Sequence, residues 1–190
     1  MSCLILASQS PRRQELLEEA GISFRVQAPD ADEWDFSTHP ELTPVEIVRS
    51  NARRKAESVA HSHPQDIILA ADTLVYCEGR LLGKPLDAGD AVAMLKWLSA
   101  RTHEVLTAVA WRDPAQCTIR EHVARTRVTF RSLDENIIHG YMEKVNVMDK
   151  AGAYGIQEHG SDLIERIEGS KTNVIGLPME IVSVWWAERA

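Results

Sequence analysis

Apolar and polar residues fall along this chain in short blocks that read as strands and helices in turn. Cys3 to Ala7 is an unbroken apolar block, the pattern of a strand covered on both faces. Ser8-Gln9-Ser10 interrupts it. A helix is predicted from Pro11 to about Ala20, with Ser10 as N-cap, Pro11 in the first helical position and Gly21 at the C-terminal cap. Ile22 to Gln27 alternates and predicts a second strand, and Ala28 to Leu42 is acidic and irregular. Thr43-Pro44-Val45-Glu46 is a capping box, and its helix should run to about Ala60 with Val45, Val48, Ala52, Ala56 and Val59 on one stripe. Ile67 to Ala71 is a second doubly covered strand. Leu74 to Cys77 and Arg80 to Leu82 predict a hairpin around Glu78-Gly79.

Further on, Ala88 to Ser99 predicts an amphipathic helix with Ala91, Val92, Leu95 and Leu98 inward. His103 to Trp111 and Thr118 to Phe130 predict two long antiparallel strands, and Asp134 caps a helix to about Glu143. The remainder predicts a glycine-rich loop, short strands near Leu163 and Val174, and a last helix after Pro178. Strands and helices alternate throughout, so the expected class is α/β, a mixed central sheet flanked by helices.

Composition changes this picture little. The chain has 190 residues, 44% hydrophobic and 26% charged, which suits one domain or two small lobes sharing a core. A formal net charge of −7 argues against a general nucleic-acid binder, while a local cation cluster can still hold a small anion. Cys3, Cys77 and Cys117 are far apart and lack metal-site spacing, so reduced thiols and a cytoplasmic location are expected. No apolar run reaches the roughly 20 residues needed to span a bilayer, and the apolar N-terminal block is too short for a signal core.

Several polar positions carry candidate chemistry. Arg12 and Arg13 follow Ser8 and Ser10 at a helix N-terminus, straight after a buried strand. Free N–H groups and the helix dipole favour phosphate there, and arginine adds bidentate geometry. The plain alternative is that both guanidinium groups are solvated or pair with Glu15 or Asp32. Lys55 lies beside the apolar stripe of its helix, either snorkelling to water or reaching a phosphate. Asp72 follows the apolar run Ile67 to Ala71, where α/β sheets bind ligands. It could take a proton from water or hold a divalent cation; an ordinary turn aspartate is the alternative. Asp30, Asp32, Glu33 and Asp35 form an acidic cluster without EF-hand spacing. Magnesium takes one or two carboxylates plus substrate phosphates, a count that Glu33 and Asp72 would satisfy. Lys84, in Gly83-Lys84-Pro85, reads as a phosphate contact or a surface lysine. Lys150 and Gln157 bracket Ala151-Gly152-Ala153-Tyr154-Gly155-Ile156, whose glycines allow close approach to a ligand. The histidines suggest no zinc site, and Trp185-Trp186 reads as core or dimer packing.

Taken in order, these segments resemble the Maf family. The resemblance is carried by Leu4-Ile5-Leu6-Ala7-Ser8-Gln9-Ser10-Pro11-Arg12-Arg13-x-Glu15-Leu16-Leu17, Asp32-Glu33, Lys55-Ala56, Ala71-Asp72-Thr73, Gly83-Lys84-Pro85, Thr102-His103-x-Val105, Asp149 to Gln157 and Gly176-Leu177-Pro178. It covers nearly the whole chain. It implies a single domain of two lobes around a cleft, like inosine triphosphatase, and a nucleoside triphosphate pyrophosphatase using Mg2+ or Mn2+, often as a homodimer. By position, Asp72 would be the proton acceptor and, with Glu33, a metal ligand. Arg13, Lys55 and Lys84 would contact phosphates, close to the loop of Ser8 and Ser10. Arg12, Thr73 and Gln157 match the branch that acts on dTTP and UTP, whereas a sister branch preferring 7-methylguanosine triphosphate has Trp, Gln and Glu there. Ala100 stands where the family usually has glycine, and Lys171 where an aromatic is common. Two other readings of the same residues are a nucleotidyltransferase and a non-enzymatic regulator of cell division.

Overall fold

The first strand, β1 (Leu4–Ala7), is buried at all four positions. The computed structural model that shows this describes residues 3–116 and 118–189. The thiol expected at Cys117 therefore lies outside the described residues, while Cys3 and Cys77 are free thiols. Helix α1 (Pro11–Glu19) follows β1, then β2 (Phe24–Val26), and α2 (Pro44–Ser62) packs on β1. The segment between β2 and α2 holds no helix or strand, in keeping with its acidic, irregular sequence. Both halves of the capping box form at Thr43 and Glu46. Gly21 takes φ of 66°, and its N–H and that of Ile22 return to Glu18 and Leu17 carbonyls, which closes α1. Ser10, by contrast, makes no side-chain cap bond.

β3 (Ile67–Cys77) corrects the reading at Asp72. The strand does not end there. It continues for another turn of the pleat and pairs antiparallel with β4 (Arg80–Leu82), with Val75 opposite Leu82 and Cys77 opposite Arg80. The hairpin turn forms at Glu78 and Gly79, both at positive φ, as a tight two-residue loop demands. Hairpin pairing supplies hydrogen-bond partners beyond Asp72, so the apolar run and the hairpin arm fuse into one strand.

The chain continues with α3 (Ala88–Leu98), β5 (Thr102–Arg112), β6 (Ile119–Phe130) and α4 (Glu135–Lys144), whose N-cap Asp134 accepts the Ile137 N–H. A single 3-10 turn (Ala151–Ala153) and α5 (Gly160–Leu163) precede β7 (Ile164–Glu168), and α6 (Lys171–Ile175) and α7 (Met179–Glu188) close the chain. Val174 thus lies in a helix, not in the predicted strand. The Asn173 backbone N–H donates to Ser170 Oγ, and the buried Asn173 amide donates to Val105 O and Thr126 Oγ1. Those bonds hold the segment in a helical turn.

Among the described residues seven strands form one mixed sheet in the order β2-β1-β3-β5-β6-β7, with β4 on β3. β1 is parallel to both β2 and β3, and β6 and β7 are antiparallel. The chain divides into two compact units. The first comprises residues 1–72, 107–124 and 176–190, and the second residues 73–106 and 125–175.

In the first unit the core is β1, the buried stripe Val48, Ala52, Ala56 and Val59 of α2, the run Ile67–Ala71, and Trp111. Trp185 is buried against Trp111, with ring centroids 6.3 Å apart, which is the packing role read from the sequence. In the second unit, Leu95, Leu98, Val128, Phe130, Ile138, Tyr141 and Tyr154 form one cluster. Ala100, in place of the usual glycine, takes φ of 56°, a left-handed conformation in which an alanine is strained. The glycines before Gln157 serve protein packing. A Cβ on Gly155 would come within 2.9 Å of Lys150 Cε, and Gly152 takes φ of 70° against Val75. Lys150 is itself buried, bonded to Asn146 O at 2.6 Å and paired with Asp149 and Glu158.

His103 sits inside the second core, edge-on to Phe130, with Nε2 2.7 Å from Tyr154 Oη. Its Nδ1 has no hydrogen-bond partner among the described residues. Burial lowers its pKa from 6.5 to about 4, so the native imidazole is neutral where the unfolded one is charged. The unfolded chain therefore binds the extra proton between those values. The stability held above pH 6.5 is lost as pH falls toward 4. Lowering pH from 7.5 to 5 is expected to cost about 2 kcal/mol through this residue alone. Urea unfolding at the two pH values should show that loss in the parent chain and a much smaller one in His103→Phe. Equal losses in both would refute it.

Candidate functional site

The parallel pairing of β1 and β3 sets the site. Leu6 lies opposite Leu69 and Ala7 opposite Ala70, so β1 stops beside a strand that runs on. The chain leaving β1 turns through Ser8 into α1, while Asp72 stands two residues beyond Ala70. In open α/β sheets ligands bind outside the carboxyl ends of the parallel strands, and β1 ends here at Ala7. Asp72 is only 7% exposed. A carboxylate that buried requires partners, since an unpaired one is very costly.

Its partners come from α2. Lys55 Nζ donates to Asp72 Oδ1 at 2.6 Å and to Glu33 Oε1 at 2.6 Å. Lys55 does not snorkel; its side chain is 9% exposed, against 63% for Glu33. Asn51, one turn earlier on α2, donates from Nδ2 to Asp72 Oδ2 at 3.1 Å. Asn51 is absent from the sequence-based candidates. A visible signal was there: an asparagine is a poor helix former, and this one falls on the apolar stripe between Val48 and Ala52. Arg54, the residue before Lys55, lies with its guanidinium 5.0 Å from the Trp34 ring centre.

Arg13 is buried as well. Its Nε donates to Gly176 O at 2.8 Å and its Nη1 to Ser8 Oγ at 2.9 Å. Burial pushes the guanidinium below its ordinary range, Asp72 and Glu33 pull it back up, and Arg12 pushes it down again. It remains charged at any physiological pH. Ser8 Oγ also accepts the Ser10 N–H, which fixes the loop between β1 and α1. No acidic residue occupies the first turn of α1 and no side chain caps it. Its end keeps the positive potential that favours an anion.

The structure thus brings Ser8, Arg13, Glu33, Lys55 and Asp72 into one electrostatic group, two cations against two carboxylates. Arg12 is half-buried and Ser10 half-buried beside them in sequence. Asp35 has a different task. It accepts from the Ser37 and Thr38 N–H groups and the Ser37 hydroxyl, which tightens the turn and holds its carboxyl below the usual range. Thr73, Lys84 and Gln157 belong to the second unit. Thr73 is half-buried and Lys84 exposed on the Gly83-Lys84-Pro85 loop, where Gly83 O accepts the Gly152 N–H. Gln157 is exposed and lines a cavity of about 290 Å³ with Ile156, Ser161, Ile164, Ile167 and Lys171. Among the described residues no three His, Cys, Asp or Glu side chains cluster as a metal site.

Fold and site together define a mixed α/β protein with a buried group of opposite charges beside a basic helix start. Residues 3–186 match the family model described as Maf-like protein, and the chain belongs to the Maf family. It is 49% identical over 179 residues to a dTTP/UTP pyrophosphatase of Akkermansia muciniphila, covering 94% of this chain and 92% of that one. It is 46% identical over 184 residues to a dTTP/UTP pyrophosphatase of Syntrophomonas wolfei, covering 97% and 96%. In fold it is similar to the solved structure of the Staphylococcus aureus Ham1 protein, with a TM-score of 0.56 over 98% of this chain and 99% of that chain at 13% identity.

Proposed function

We propose that this chain hydrolyses dTTP and UTP to the monophosphate and pyrophosphate. The observation that carries the reading is the buried Lys55 ammonium held between Asp72 and Glu33, with Arg13 beside them. Relatives at 46–49% identity named for this activity support it. Water attacks the α-phosphorus, the bond from that phosphorus to the bridging oxygen breaks, and pyrophosphate leaves with the bond electrons. Asp72 takes the proton from water, its carboxylate aimed by Lys55 and Asn51 on separate oxygens. Arg13 and Lys55 meet the phosphate charge beside the loop of Ser8 and Ser10, and Lys84 is proposed as a further phosphate contact. Such chemistry is mainly positioning and charge neutralisation.

A divalent cation, Mg2+ or Mn2+, belongs to this proposal. Glu33 and Asp72 already converge on one cationic atom, and two carboxylates are the donor set that magnesium combines with substrate phosphates. Glu33 and Asp72 would hold it, and it would neutralise charge on the phosphate oxygens. A homodimer in the cytoplasm is part of the same reading. Among the described residues no helix is long and apolar enough to cross a membrane.

The test is a panel of nucleoside triphosphates with Mg2+ or Mn2+, with pyrophosphate, orthophosphate and monophosphate all quantified. Expected is one pyrophosphate per monophosphate, with dTTP and UTP preferred. Release of orthophosphate, transfer to an acceptor other than water, or no turnover would overturn it. Arg12, Thr73 and Gln157 are proposed to select the base. Gln157→Glu exchanges an amide donor for an acceptor, and the pyrimidine-to-purine ratio of kcat/KM is expected to move by about tenfold or more. An unchanged ratio across the panel would remove Gln157 from the base site.

A further inference from the structure

We infer that Asn51 is a positioning residue that fixes Asp72 and the Glu33 loop relative to one another through a single side-chain amide. Asn51 is 3% exposed and uses both ends of its amide. Oδ1 accepts the Trp34 N–H at 2.7 Å, while Nδ2 donates to Trp34 O at 3.0 Å and to Asp72 Oδ2 at 3.1 Å. Trp34 follows Glu33 directly, in a segment without helix or strand of its own. The Trp34 peptide is thereby pinned to α2 on both its donor and its acceptor. That pinning sets where Glu33 leaves the backbone, and so where its carboxylate meets Lys55.

The same amide restricts Asp72. Lys55 engages Oδ1 and Asn51 engages Oδ2, so the plane of the carboxylate is held by two donors from successive turns of one helix. Lys55 alone would leave that plane free to rotate about a single contact. A misplacement of about 1 Å at a reacting group can cost a hundredfold in rate, and supporting hydrogen bonds around such groups prevent it. Asn51 touches neither water nor phosphate in this scheme; it acts through Asp72 and Glu33. The inference rests on the proposed pyrophosphatase activity.

The test uses the full chain with Asn51→Leu and Asn51→Asp. Leucine keeps the branched skeleton, at a larger volume, and favours the helix but makes no hydrogen bond. Aspartate keeps an acceptor for the Trp34 N–H but turns a carboxylate oxygen toward Asp72. Expected for both is a fall in kcat for dTTP of at least about tenfold, with KM within about threefold of the parent, and with cooperative thermal unfolding retained. Hydrogen exchange at the Trp34 amide is expected to accelerate in Asn51→Leu and to stay slow in Asn51→Asp. If leucine prevents folding, the aspartate variant decides on kcat and KM. A kcat within twofold of the parent, a KM rise with kcat unchanged, or unaltered Trp34 exchange in Asn51→Leu would overturn the inference. A parent chain that turns over no nucleotide sinks the activity and the catalytic purpose of this link together. An active parent with an equally active Asn51→Leu sinks the link alone.

Discussion

Asp72→Asn is expected to lower kcat for dTTP by roughly a hundredfold or more while leaving the chain folded, because an amide cannot accept the proton that water must lose. The substitution is isosteric, and it removes one of the two carboxylates on Lys55, which keeps Glu33. The ammonium therefore retains a partner and the fold a satisfied cation. Single-turnover measurement with quantified pyrophosphate separates the chemical step from product release. Turnover within threefold of the parent would remove Asp72 from proton transfer and leave it only a structural partner of Lys55.

Lys55→Met should have the largest effect on stability. It leaves the Asp72 carboxylate, its side chain 10% exposed, facing a thioether on one oxygen while the Asn51 amide still donates to the other. Breaking a buried ion pair from one side costs about 3–5 kcal/mol, since the remaining charge stays desolvated. Glu33 contributes little to that loss, because water screens its 63% exposed side chain. Urea unfolding of Lys55→Met, Asp72→Asn and the double variant forms a cycle. The double variant should recover most of the loss, with a coupling of about 2 kcal/mol or more between the two positions. Strict additivity would mean that the pair contributes nothing to folding. Activity should fall in Lys55→Met as well, because in the proposed function the same ammonium aims Asp72 and meets phosphate charge.

Much of the fold was legible because its local signals agree with one another. The capping box at Thr43 and Glu46 and the stripe Val48, Ala52, Ala56 and Val59 define α2 from either end. Gly21 closes α1, and Glu78-Gly79 makes the hairpin turn. The errors came where a local pattern was overruled from a distance. Val174 carries strand propensity, yet Ser170 and Asn173 bind their segment to Val105 and Thr126 as a helical turn. Asp72 looked like a strand end because a charge followed an apolar run, yet the hairpin partner β4 carries β3 onward. At Gly155 and Gly152, Lys150 and Val75 lie where a Cβ would be, a packing constraint that no local pattern shows.

What the sequence by itself determined is the set of elements, the residue types able to meet an anion, and the family they resemble. Helix capping, turn glycines and apolar periodicity act over a few residues, so they can be read in order along the chain. Only the tertiary structure decided that Lys55 stays buried and that Asn51 shares its carboxylate. Lys55 meets Asp72 across 17 positions and Glu33 across 22, and Asn51 meets Asp72 across 21. Whether a lysine beside an apolar stripe turns to water or inward depends on what the neighbouring strand presents, and that depends on register. Here β1 and β3 pair so that Asp72 stands just past the end of β1, and the two charges stabilise each other where either alone would be driven out.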